Sequence, residues 1–257
     1  RKIIAKMQNK KSQKLYFYER MNSDLKENNL FHINILFRDE NVMLLEYIDH
    51  NFLKLKPHHH HQLAISLAEL HAKKYECYGY EYNTFFGDQI QNNQKSKSWS
   101  HFFIEQRYKE NLNKIIQNIK IPESFSQKML NFVELIPSLI YEPENPSLIH
   151  GDIWRENILA SEDEVIKVID PALFYADPDF ELAYIAMNGT LNKSFFEVYN
   201  SYRKIDAEFW EFKRYLYQII PQMQYALIDG ASYLYEINKT IDYLREASGM
   251  KPEYIYI

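Results

Sequence analysis

Glycine is scarce in this chain: there are six in 257 residues, and none before Gly79. A function that needs a glycine-rich phosphate loop near the N-terminus has no such loop in this sequence. Cysteine is scarcer still. Cys77 stands alone, which excludes an internal disulfide framework and fits a reducing compartment, so the expected location is cytoplasmic. No apolar run reaches the roughly 18 residues needed to cross a bilayer. The opening Arg-Lys-Ile-Ile-Ala-Lys carries no signal-peptide apolar region. Positive charge is not in excess: 30 Lys+Arg stand against 35 Asp+Glu, a net charge of −5. That balance argues against nucleic acid or an anionic membrane as partner. The sequence does not open on methionine, so residue 1 is not taken as the start of the gene product.

What is present is globular. Hydrophobic residues make up 46% and charged residues 25% of the chain, enough for one large domain or two small lobes. Residues 1–8 read as a strand and 13–28 as a helix, with Leu15, Tyr18, Met21 and Leu25 at helical spacing. Phe31 to Phe37 and Asn41 to Ile48 read as two strands broken by a polar turn. From about residue 60 the pattern is helical, with a stripe at Leu63, Leu67, Leu70 and His71. Residues 82–98 are polar and read as loop. Helical spacing resumes at 99–117 and after Pro122-Glu123, and again from 180 almost to the end, where Pro221 is expected to break or kink it. The expected division is a small lobe at 1–48 and a larger, mostly helical lobe at 49–257.

The informative stretch is Leu148 to Leu159. An apolar strand end runs into His150-Gly151-Asp152, Asn157 follows five residues after Asp152, and a second apolar strand ends thirteen residues later at Asp170. Each residue alone reads as a turn, a cap or a strand end. Together they suit phosphoryl transfer, which needs an acceptor hydroxyl in line with the γ-phosphate and a divalent cation to offset charge. Asp152 is placed to accept the hydroxyl proton, while Asn157 and Asp170 offer the hard oxygen ligands that Mg²⁺ prefers. The pattern H-x-D-x-x-x-x-N followed by a metal-binding Asp resembles the catalytic core of the protein-kinase-like superfamily.

That resemblance implies a bilobal α+β fold and an ATP site. Ile3-Ile4-Ala5-Lys6 resembles the strand that carries the ATP-contacting lysine, and Glu19 on the next helix is the implied partner of Lys6. Met43 to Ile48 looks like the strand entering the hinge, where backbone groups of Glu46, Tyr47 and Ile48 would meet adenine. There is no activation segment after Asp170, which favours a small-molecule kinase of the aminoglycoside phosphotransferase type. His150-Gly151-Asp152-Ile153-Trp154, Asp170-Pro171-Ala172-Leu173-Phe174-Tyr175, Asp179 and Glu181 resemble the fructosamine/ketosamine-3-kinase family. So do Phe86-Gly87, Trp99, Phe102-Phe103, Arg107, Ser194-Phe195-Phe196 and Tyr199. The resemblance implies ATP and Mg²⁺ as cofactors. It implies phosphorylation of the 3-hydroxyl of a sugar carried on an amine, such as a glycated lysine, with Trp154 beside the acceptor.

Some positions depart from the family. Arg155-Glu156 stand where small residues are usual, and Glu156 adds charge beside Asn157. The strands expected before Lys6, with their phosphate-covering loop, are not in this sequence, and the expectation is that they are missing from it rather than from the protein. An aminoglycoside or choline-type hydroxyl kinase, or a nucleotide-binding scaffold without turnover, stands as the alternative. His58 to His61 reads as an exposed capping turn, Cys77 as an inert small apolar residue, and Lys10, Lys11 and Lys14 as a solvated cluster.

Overall fold

The computed structural model describes residues 2–9, 12–28, 30, 32–50, 55–161, 165–230 and 232–250, with the side chains of residues 165 and 166 left aside. Phe31, Lys10 and Lys11 lie outside the described residues. Three short strands come first: β1 (Ile3–Met7), β2 (Ile35–Arg38) and β3 (Val42–Glu46), with α1 (Lys14–Glu27) between β1 and β2. They form an antiparallel sheet in the order β1-β3-β2, with Lys6 opposite Met43. β3 alternates between buried and half-buried positions, so Met43 and Leu45 face inward. This is the period-2 pattern of a sheet with one covered face.

The rest of the chain is mostly helical: α2 (Pro57–His71), α3 (Trp99–Phe102), α4 (Glu110–Asn118), α5 (Glu123–Leu139), α6 (Pro178–Asn188), α7 (Lys193–Tyr202), α8 (Arg214–Asp229) and α9 (Ser232–Ala247). A wide π-type turn over Phe103–Lys109 joins α3 to α4. α2 packs on α7, and α8 packs on α6 and α9. α8 runs through Pro221 without ending there, so of the expected break or kink the break does not occur. Leu216, Ile219, Ile220 and Met223 around it are fully buried, and that packing outweighs the lost backbone bond.

The polar stretch read as loop contains a hairpin, β4 (Thr84–Phe86) and β5 (Gln89–Gln91), turned at Gly87-Asp88. Gly87 has φ +55°, a turn conformation that glycine adopts without strain. The signal was hidden because each strand is only three residues long, Thr-Phe-Phe and Gln-Ile-Gln, within an otherwise polar stretch. The four-histidine run also differs from expectation. Pro57 opens α2, and His59 Nδ1 accepts the Lys56 backbone N–H at 3.0 Å, so a capping turn is present. His59 and His60 are nevertheless buried rather than exposed.

Two apolar cores result. The smaller joins Leu15, Tyr18, Ile33, Met43 and Leu45. The larger spans the helical lobe and takes in Met21, Leu25 and Leu30. α1 therefore contributes to both cores. Among the described residues, no helix is long and apolar enough to cross a membrane.

Candidate active site

The site is built where two short antiparallel ladders end: β6 (Ser147–Ile149) with β9 (Phe174–Ala176), and β7 (Ile158–Ala160) with β8 (Val165–Val168). The loop after β6 carries Asp152, and the loop after β8 carries Asp170. Backbone bonds stitch them together: Ala172 N–H donates to His150 O at 2.8 Å, and Ile169 N–H donates to Asn157 O at 2.9 Å. Gly151 makes the close approach possible. It has φ +83°, and a Cβ there would lie 2.4 Å from Ala172 O.

A buried carboxylate fixes the loop from behind. Glu181, on α6, accepts the N–H of Gly151 at 2.7 Å and of His150 at 3.3 Å. It also meets His71 Nε2 at 3.0 Å, and His71 Nδ1 meets the Tyr199 hydroxyl at 2.8 Å. Burial opposes ionisation of Glu181, but His71, His150 and the Gly151 N–H outweigh it and hold its carboxyl below the usual range. His150 is fully buried, and burial lowers its pKa to about 4. The start of α6 is anchored separately. Asp177 caps it by accepting from Asp179 N–H, and also accepts from the Tyr217 hydroxyl at 2.6 Å. Lys213 pairs with both Asp177 and Asp179.

Asp152 faces the cavity with both oxygens engaged. The Tyr184 hydroxyl donates to Oδ1 at 2.6 Å, and Asn157 Nδ2 donates to Oδ2 at 2.9 Å. Burial raises its pKa to about 6, with the nearby charges of Asp170 and Glu181 adding to the rise and the two hydrogen bonds opposing it. At neutral pH the group is mostly ionised, as a proton acceptor must be. Asn157 spends its amide nitrogen on Asp152, donating to the backbone oxygen as well, which leaves the amide oxygen for a cation. Asp170 has φ +55°, and is the one non-glycine residue with positive φ among those described. The left-handed turn aims its carboxylate at Lys6, with which it pairs.

A cavity of about 480 Å³ gathers Lys6, Asp152, Trp154, Asn157 and Asp170, five of the expected site residues. Trp154 is half-buried on this wall rather than in the core. Phe85, Gly87 and Asp88 of the hairpin and Lys14 and Tyr18 of α1 complete the lining. Asp88 pairs with Lys14 across the mouth.

Four expectations are not brought into this cavity. Glu19 does not pair with Lys6. Tyr18, one step earlier on α1, takes the inward position, and its ring lies 4.6 Å from Lys6 Nζ. Glu19 is rotated by about 100° from it and reaches Arg38 of β2 at 2.5 Å. The hinge is also closed at two points. The Glu46 N–H donates to Asn34 O at 3.0 Å, while its carboxylate takes the Asn34 N–H and side-chain amide. The Ile48 carbonyl lies 2.6 Å from Nδ1 of His50, two residues on. Tyr47 has Lys2 Nζ 4.8 Å from its ring centroid. Sequence reasoning missed Tyr184. It sits three residues after Glu181, a spacing that places both on one face of α6.

A small sheet lobe with one helix, set against a helical lobe whose His-x-Asp loop meets a strand-end Asp, makes a protein-kinase-like fold. An ADP-bound aminoglycoside phosphotransferase, APH(2'')-Ib, has this fold, with a TM-score of 0.66 at 16% identity over 94% of this chain and 88% of that one.

The chain belongs to the fructosamine kinase family, whose model matches residues 30–247. It is 25% identical to a probable ketoamine kinase of Vibrio cholerae over 230 residues, 82% of this chain and 77% of that protein. It is 30% identical to a mouse ketosamine-3-kinase over 126 residues, 48% of this chain and 40% of that protein. In some of its matches the chain spans less than two thirds of the relative, such as 65% of one ketoamine kinase from Enterococcus faecium.

Proposed function

We infer that this protein is an ATP- and Mg²⁺-dependent kinase that phosphorylates the 3-hydroxyl of a ketosamine, a sugar joined to an amine. The observation that carries this reading is the convergence of Asp152, Asn157, Asp170, Lys6 and Trp154 on one cavity. The family supplies the acceptor class, and the residues supply phosphoryl transfer to a hydroxyl.

Oxygen donors on two adjoining loops suit Mg²⁺, which takes one or two carboxylates from the protein and its other ligands from phosphate and water. Among the described residues no three His, Cys, Asp or Glu side chains gather into a metal cage of their own. When bound, the cation offsets charge on the phosphates. Asn157 and Asp170 would hold it, and Lys6, released from Asp170, would pair with phosphate oxygens. Asp152 accepts the proton of the acceptor hydroxyl at one carboxylate oxygen and orients that hydroxyl for in-line attack. Trp154 and Phe85 offer aromatic faces to the apolar face of the sugar. The lone thiol, Cys77, suits a reducing compartment such as the cytoplasm.

The test is ATP consumption by the full-length protein with Mg²⁺, against a ribulosamine, a fructosamine, choline and an aminoglycoside. Turnover on a ketosamine, cut at least about 100-fold in Asp152→Asn, is the expected result. Turnover on choline or the aminoglycoside alone would overturn the acceptor and keep the mechanism. No turnover on any of the four would overturn the reading.

A further inference from the structure

Behind Asp152 stands a pair of tyrosines from two different helices. Tyr184, on α6, is nearly fully buried, and its hydroxyl lies 2.6 Å from Asp152 Oδ1. The Tyr225 hydroxyl, on α8, lies 2.8 Å from that of Tyr184. Counting protons gives the pair a direction. An ionised carboxylate only accepts, so the single phenolic proton of Tyr184 goes to Asp152. The Tyr225 hydroxyl then donates to Tyr184, the nearer of its two acceptors at 2.8 Å against 3.4 Å for Asn188 Oδ1. Burial, with the neighbouring Asp152 charge, raises the Tyr184 pKa far above its ordinary value, so this phenol stays a donor.

We propose that Tyr184 is a positioning residue for Asp152, and that Tyr225 orients Tyr184. The proposal rests on the phosphoryl-transfer reading above. Asn157 pins one carboxylate oxygen and Tyr184 pins the other, so Asp152 cannot turn about its last bond. The lone pairs left to it point in fixed directions, which is what in-line transfer requires of a base.

Aromatic neighbours pack against both rings. Phe86 of the hairpin lies 6.0 Å from both rings, edge-on to Tyr184, and Tyr233 of α9 packs 5.2 Å from Tyr225. Asn188 Nδ2 donates to the Tyr184 backbone oxygen at 3.0 Å and holds the turn of α6 that presents the phenol. A phenol buried only for packing would need any one acceptor. This one is directed at the base and backed by a second donor.

Tyr184→Phe, Tyr225→Phe and the double substitution keep the rings and remove the hydroxyls. With fructosyl-lysine or a ribulosamine as acceptor, Tyr184→Phe should lower kcat about tenfold or more, with KM for ATP within about twofold. Tyr225→Phe should lower kcat less, and nothing further in the Tyr184→Phe background, because it acts through Tyr184. An unchanged kcat in Tyr184→Phe, or an equal Tyr225→Phe effect in both backgrounds, would overturn the proposal.

A second arm needs no acceptor. In urea unfolding, Tyr184→Phe and Asp152→Ala should be non-additive, because either one removes the same contact. Additive midpoints overturn the proposal even if the protein phosphorylates no ketosamine. Coupled midpoints with no ketosamine turnover would sink the functional reading while leaving the Tyr184–Asp152 contact standing.

Discussion

At the residue scale, the gathering of Asp152, Asn157 and Asp170 on one cavity was legible because their spacing is tied to strand ends. Asp152, Asn157 and Asp170 are each rigidly placed by a strand end or a tight loop, so separation in sequence translates into separation in space. Glu19 was misread because helical phase, not sequence distance from Lys6, decides which side chain faces the cavity. Tyr184 was invisible for a related reason: within an apolar helix a tyrosine looks like core until the loop it touches is known. His150 offers a test at this scale. Its pKa is about 4 when folded, against roughly 6.5 in an unfolded chain. Between these values the unfolded chain binds a proton that the folded one refuses. Stability is therefore full above about pH 6.5 and falls as pH drops toward 4, by on the order of 3 kcal/mol. Urea midpoints measured from pH 7 to 4.5 should show this slope, and His150→Asn should flatten it. Equal slopes in the two proteins would mean that another group carries the acid sensitivity.

At the scale of elements, the helices of the larger lobe were readable from their 3.6-residue stripes, whereas the β4–β5 hairpin was not. Its strands are three residues each and hold together through contacts that come from elsewhere in the chain. Arg107 supplies the chief one. It is buried to 1% exposure, and its guanidinium donates to Asn92 O at 2.6 Å and Asn93 Oδ1 at 2.7 Å. It also lies 4.0 Å from the Phe174 ring centroid. Burial lowers its pKa to about 9, so it stays charged at neutral pH. Arg107→Met keeps the bulk and leaves both acceptors without their donor, at a cost of about 3 kcal/mol. The expected outcome is a lower urea midpoint together with faster proteolytic cleavage between residues 82 and 98. A lower midpoint without faster cleavage there would show that Arg107 supports the core but not the hairpin.

At the scale of the whole molecule, the two lobes were legible as a change of pattern near residue 50, but their joint was not. Amphipathic spacing in α1 announces one buried face and does not say that two cores share it. Asp24 adds polar ties to the larger lobe, accepting from the hydroxyls of Tyr80 at 2.5 Å and Tyr82 at 2.8 Å. A helix fastened in this way should make the lobes unfold together. Leu25→Ala, at a residue with no exposed surface, should cost about 2–5 kcal/mol. It should move tryptophan fluorescence, which reports the larger lobe, and amide protection in β1–β3 to a lower midpoint by the same amount. A β1–β3 sheet that melts ahead of the fluorescence change would refute the shared joint.

The double fastening of α1 also limits how the enzyme can breathe. Swinging the lobes apart about this helix would strip cover from Met21 and Leu25 on one side or from Leu15 and Tyr18 on the other, and both losses are steep. The hairpin strands are held too, since Phe86 packs on Tyr184 and Tyr225 and Gln89 Nε2 donates to Gln224 O at 3.1 Å, so the Gly87-Asp88 turn, paired with Lys14, has the least to lose. Any opening of the cavity mouth is therefore cheapest at that two-residue turn, while the jaw itself stays nearly shut.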